Sequence, residues 1–105
     1  MAKNLGEKIY ELRRQQKLTL DVLAEKAGLS KSYLWELENR ESQRPSAEKL
    51  NSLAEALGVA VSYFIEEGIS APEDRHIDEA FFRSYQKLDT DAKEHLRKIL
   101  HTFKK

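Results

Sequence analysis

The chain has no cysteine among its 105 residues, which removes disulfides, thiolate metal sites and cysteine nucleophiles together. It has no excess of charge either, because 18 Lys and Arg are matched by 18 Asp and Glu. The balance is local as well as global, with 10 basic and 11 acidic residues over 1–68 and 8 and 7 over 69–105. A protein that coats nucleic acid indiscriminately would be strongly basic. Any affinity for a polyanion must therefore come from local placement, with few phosphate contacts and selective binding. No apolar run is long enough to cross a bilayer and no basic-then-apolar leader opens the chain, so the cytoplasm is the expected location and a membrane is not an expected partner.

Catalytic patterns are also missing. The chain has no phosphate-binding glycine loop, nucleophile elbow or paired metal motif. His76, His95 and His101 are scattered, and the last two do not share the i, i+3 or i, i+4 face that a metal or an acid–base pair requires, so each is expected at the surface. Neither an enzyme, a cofactor nor a metal site is expected. What is present is 34% charged and 40% hydrophobic residues, an ordinary mixture for one compact domain with a short appendage.

The most patterned stretch is Thr19–Asn39, TLDVLAEKAGLSKSYLWELEN. Leu23, Ala24 and Ala27 mark one face of a short helix, Gly28 ends it in a left-handed conformation, and Ser30 opens a second helix whose inward positions are Leu34 and Leu37. By spacing alone this is a helical corner of a common kind. The outer face of the second helix is more informative. At about 100° per residue, Ser32, Glu36 and Asn39 oppose the leucines, with Lys31, Trp35 and Arg40 at the margins. A helix of this width fits the major groove of B-form DNA, where Lys31 and Ser32 can reach base edges and Glu36 can accept from a cytosine amino group. A merely solvated face would have a similar composition.

The residues Gly28-Leu29-Ser30-Lys31-Ser32-Tyr33-Leu34, followed by Glu36-Leu37-Glu38-Asn39, resemble the phage repressor and Cro-like family of helix-turn-helix regulators, also called the xenobiotic-response-element family. The likeness runs from about Leu5 to Ile65. It implies an all-α fold, a five-helix repressor-like domain whose third helix reads the major groove; the helical hairpin after it is read from the pattern of the tail. It implies Lys31, Ser32, Tyr33 and Glu36 as base-reading residues and Thr19, Asn39, Arg40 and Arg44 as phosphate contacts. A glutamine that follows the Thr19 position in many relatives is Leu20 here. The family pattern also pairs an arginine of the first helix with a glutamate of the third, here Arg13 with Glu38. Without that pattern Arg13 reads as one more surface cation.

Around this centre the chain divides into a domain at 1–67, a linker at 68–76 and a helical oligomerisation segment at 77–105. Leu5, Ile9 and Leu12 place the first helix over Leu5 to Gln16, with Lys8, Arg13, Arg14 and Lys17 around the stripe. The loop from Arg40 to Pro45 carries two arginines, against which Glu41 counts. Trp35 is expected to be buried against that loop. Ser46 caps a fourth helix with Ala47, Leu50, Leu53, Ala54 and Leu57 inward and Gly58 as its stop. Val59 and Val61 pack, Ser62 caps a last short helix, and Tyr63 and Phe64 read as core rather than as a nucleotide platform. Gly68 to His76 has linker composition.

Two amphipathic helices then carry Ile77, Phe81, Phe82, Tyr85 and Leu88, and, after the Asp89 cap, Ala92, Leu96, Ile99, Leu100 and Phe103. So short a hairpin must cover its apolar stripe with its own domain or a second copy. Self-association is favoured, because a two-fold dimer places two reading helices in successive major grooves about 34 Å apart. The functional expectation is a sequence-specific DNA-binding transcriptional repressor, acting as a homodimer on an inverted-repeat operator in double-stranded DNA. The alternative is an interaction module whose aromatic tail binds a protein such as a toxin, an antagonist or a protease.

Overall fold

The computed structural model describes residues 3–40 and 44–103. Among them lie seven α-helices and no strand: α1 (Leu5–Gln15), α2 (Leu20–Ala27), α3 (Lys31–Asn39), α4 (Ala47–Leu57), α5 (Ser62–Ile65), α6 (Asp74–Gln86) and α7 (Thr90–His101). The first helix packs on α3 and α5, and α2 packs on α3 and α4. Ile9, Leu12, Leu23, Leu34, Leu37, Leu53, Leu57, Val59 and Tyr63 form the core, each at the inward position of its helical turn or connection. The chain folds as the all-α arrangement its periodicity predicts, and the apolar stripes of α1 to α5 close around one another.

Local chemistry sets the helix ends. The side chains of Thr19, Ser30, Ser46 and Asp89 accept backbone N–H groups from the first turns of α2, α3, α4 and α7. Asn4 and Glu7 exchange bonds across the start of α1, an Asn form of the reciprocal capping arrangement. Gly28 adopts φ 69°, so α2 can end and reverse into α3 without a Cβ clash. Two local expectations fail. Val61, not Ser62, precedes α5, and its side chain makes no cap bond. Ala47 is exposed with Glu48 and Lys49, because the inward stripe of α4 begins with the half-buried Leu50 and is fully buried only from Leu53.

Larger corrections concern the junction with the tail. The connection is shorter than 68–76, since α6 begins at Asp74, and His76 is fully buried rather than at the surface. Its Nδ1 accepts the Glu73 N–H at 2.8 Å, so Nε2 carries the proton and donates to Glu66 Oε1 at 2.7 Å. Arg75 grips the same carboxylate with two bonds of 2.9 Å. These bonds, Arg75 first and His76 second, hold the Glu66 carboxyl down at about 2. The His76 carbonyl accepts the Ala60 N–H, Ala80 is buried, Arg83 reaches the Val59 carbonyl, and Lys87 pairs with Glu55.

Residues 76, 80, 83 and 87 lie on one face of α6. The apolar stripe of Phe81, Tyr85 and Leu88 lies on another. The tail is therefore seated on the domain by small and polar groups, while its aromatic face stays open. Lys8 completes the junction from below: its buried ammonium donates to the carbonyls of Tyr63 and Glu66 at 2.7 and 2.8 Å, capping the end of α5, and burial lowers its pKa.

Candidate nucleic-acid interface

Helix α3 is held from behind by two contacts with α1. Leu34 and Leu37 are buried. Arg13 Nε donates to Glu38 Oε2 at 2.8 Å, Nη2 to Oε1 at 3.0 Å, and Nη1 to the Leu18 carbonyl at 3.0 Å. The side chains are 10% and 2% exposed, so this is a forked pair shielded from water, and the bond to Glu38 raises the Arg13 pKa. Two turns earlier in α1, a Cβ on Gly6 would fall 2.6 Å from the carbonyl oxygens of Leu37 and Glu38. Only a glycine lets α1 approach the end of α3 so closely. Gly6 carries no local sequence signal, because the reason for it lies more than thirty residues away.

The opposite side of α3 faces outward. Lys31, Ser32, Trp35, Asn39 and Arg40 are exposed and Glu36 is half-exposed. Lys31, Ser32, Trp35 and Glu36 line one shallow hollow. Lys31 lies 3.4 Å from Asp21 of α2, an exposed pair of small energetic consequence. Tyr33 stands apart from the other candidate base readers: it is half-buried against the core, with the Lys49 ammonium 4.3 Å from its ring centroid. Trp35 is 47% exposed, so it is not tucked away as expected; its outward position on α3 leaves the indole in solvent. Glu41, the expected counter-charge in the following loop, lies outside the described residues.

The four candidate phosphate contacts are not gathered in one place. Asn39 Nδ2 donates to the Trp35 carbonyl at 2.9 Å, and Arg40 ends α3 with its backbone N–H on the Glu36 carbonyl. Arg44 borders a different recess, shared with Lys3, Lys8 and Glu66. Thr19 sits at the start of α2, where its hydroxyl accepts the Val22 N–H at 3.1 Å. There a recess is lined by Arg13, Arg14, Lys17, Thr19 and Lys31, with Asp21 as the one carboxylate among them, directly at a helix N-terminus. Free N–H groups and the positive end of the helix dipole favour an anion at such a place. Arg14 and Lys17 were not singled out by sequence. The available signal was two cations shortly before a helix cap.

Among the described residues no group of three or more His, Cys, Asp and Glu is placed to hold a metal, and no helix is long and apolar enough to cross a membrane. Two short helices at a tight turn, the second buried along one side and polar along the other, make the helix-turn-helix arrangement.

The chain belongs to the helix-turn-helix family, whose sequence profile matches residues 9–64, and within it to the Cro-like kind. The immunity repressor protein of Bacillus phage phi105 is 37% identical to it over 97 residues, spanning 91% of this chain but only 64% of that relative's length. A crystal structure of the biofilm regulator SinR in complex with DNA matches with a TM-score of 0.56 at 34% identity, covering 59% of this chain and 98% of that one. A chain of a SinR protein–SinI protein complex matches with a TM-score of 0.55 at 25% identity, over 94% and 81%. The relatives are named as regulators, not as enzymes.

Proposed function

We propose that this protein is a sequence-specific transcriptional repressor of the cytoplasm, inserting α3 into the major groove of double-stranded DNA as a homodimer on an inverted repeat. The observation that carries the reading is the division of α3: Leu34, Leu37 and Glu38 are fixed inward, while Lys31, Ser32 and Glu36 share one outward hollow. Lys31 supplies donors, Glu36 acceptors and Ser32 both, the groups that distinguish base edges in the major groove. Arg14, Lys17 and the start of α2 provide a place for a backbone phosphate, which fixes register without reading sequence. The naming of one relative as a repressor and the solved DNA complex of another support the same reading.

The homodimer rests on the tail. Phe81, Phe82, Tyr85, Leu96, Ile99, Leu100 and Phe103 line an apolar cleft of about 430 Å³ between α6 and α7. Most of these rings and aliphatic groups stand in water in the single chain, with Phe103 77% exposed. A second copy can cover them and bring two reading helices onto one duplex. A partner protein is a second reading, favoured by this open cleft and by the solved complex of SinR with another protein.

Selection of bound duplexes from a random pool, with the protein mass measured in the same buffer, tests both. The expected result is one enriched inverted repeat and the mass of a dimer. Replacing Lys31, Ser32 and Glu36 together by alanine is expected to abolish the enrichment and leave the mass unchanged. If that variant selects the same sequence as before, the reading face is refuted and the interaction module gains.

A further inference from the structure

Trp35 is the only tryptophan of the chain and the large apolar side chain that α3 turns to solvent. Its outward place is an odd one for an indole, since nothing in the core uses it. It lies about 60° around the helix from Ser32 and about 4.5 Å further along, so it borders the base-reading hollow and extends it toward a neighbouring base pair. The bond from the Asn39 side chain to the Trp35 carbonyl holds the backbone beneath the indole at the helix end.

We propose that Trp35 is a specificity-determining residue, whose indole packs on the 5-methyl group of a thymine in the major groove; this rests on the DNA-reading function proposed above. The chemistry of the hollow favours that occupant. Lys31, Ser32 and Glu36 bring donors and acceptors for the polar positions of base edges, and the thymine methyl is the apolar group displayed on that surface. An indole presents a broad apolar face with a single N–H at its rim, so it covers a methyl group without stranding a buried polar atom. Stacking on a deoxyribose is the competing placement, and it would carry no sequence information.

Deoxyuridine substitution separates the two, because it deletes the methyl group and leaves every hydrogen-bonding group of the base. Each thymine of the selected duplex is replaced singly, and binding is measured for the wild-type chain and for W35A, with folding of W35A checked by circular dichroism. The expected result is one thymine per half-site at which the loss weakens wild-type binding by about fourfold, with no further effect in W35A. Fluorescence of the single tryptophan is expected to shift to the blue on binding the thymine duplex, and less with deoxyuridine at that position. A deoxyuridine effect that persists in W35A, or none at any position in the wild type, overturns the proposal while the DNA-reading function stands. A pool with no enriched duplex overturns both.

Discussion

Replacing Arg13 by methionine removes the guanidinium from behind the reading helix and leaves the Glu38 carboxylate 2% exposed with no cation. Two charge-assisted bonds to Glu38 disappear, and so does the bond to the Leu18 carbonyl. Bonds to charged groups contribute about 1.5–3 kcal/mol each, net of the bonds to water they replace. Relaxation and water entry absorb part of that, so a stranded buried partner costs about 3–5 kcal/mol. Against a total stability of about 5–15 kcal/mol, such a loss is visible in any unfolding experiment. Urea unfolding followed by far-ultraviolet circular dichroism is the suitable assay, at one fixed protein concentration because the proposed association of the tail would add to apparent stability. Arg13→Met combined with Glu38→Leu removes both charges, and stability is then expected to return to within about 1–2 kcal/mol of the wild type. A single substitution that costs under about 1 kcal/mol, or a double variant equal to the sum of the singles, refutes the claim that the pair is a shielded unit.

Gly6→Ala sets a methyl group against two backbone carbonyls that cannot rotate away, and is expected to destabilise by about 1–3 kcal/mol although alanine is the better helix former; an unchanged urea midpoint would count against the close approach. Glu66 has its folded-state pKa pushed down to about 2 from an ordinary 4.5, so its contribution is fully present above 4.5 and fades as pH falls from there toward 2. Glu66→Gln is expected to flatten that part of the stability–pH curve, and an identical acid limb in both proteins would refute the assignment. Leu100→Glu together with Phe103→Glu, at positions 60% and 77% exposed in the single chain, is expected to halve the mass in sedimentation while leaving the monomer's unfolding within about 0.5 kcal/mol. A dimer that survives places the contact elsewhere.

The helix-turn-helix part of this protein is legible in its residues because helix periodicity, caps and the reversal at Gly28 are local matters. Thr19 and Ser30 bracket α2 and α3, Leu34 and Leu37 say which side is inward, and the outward set follows from geometry of about 100° per residue. The expected link between Arg13 and Glu38 came from family likeness, not from spacing. Trp35 was misjudged because a tryptophan invites burial, and burial depends on what the fold brings near it.

The junction with the tail escaped for a related reason. Gly68 to His76 has the composition of a loop, yet Asp74 starts a helix, because the His76 ring and the Glu73 backbone close its first turn and Glu66 and Arg75 meet above it. The stripe of Phe81, Tyr85 and Leu88 was read as a face for a second copy or for the chain's own domain; the seat on the domain is made instead by His76, Ala80, Arg83 and Lys87.

Sequence alone therefore settled the order of the helices, the caps at Thr19, Ser30, Ser46 and Asp89, and the inward and outward sides of α3, since each depends on residues within one or two turns. Tertiary structure decided why position 6 is glycine, where the Lys8 ammonium finds its acceptors, which face of α6 is seated, and that the aromatic face remains open. Those outcomes depend on groups that meet across 10 to 58 residues of chain, and a pattern of neighbours does not encode a distance in space.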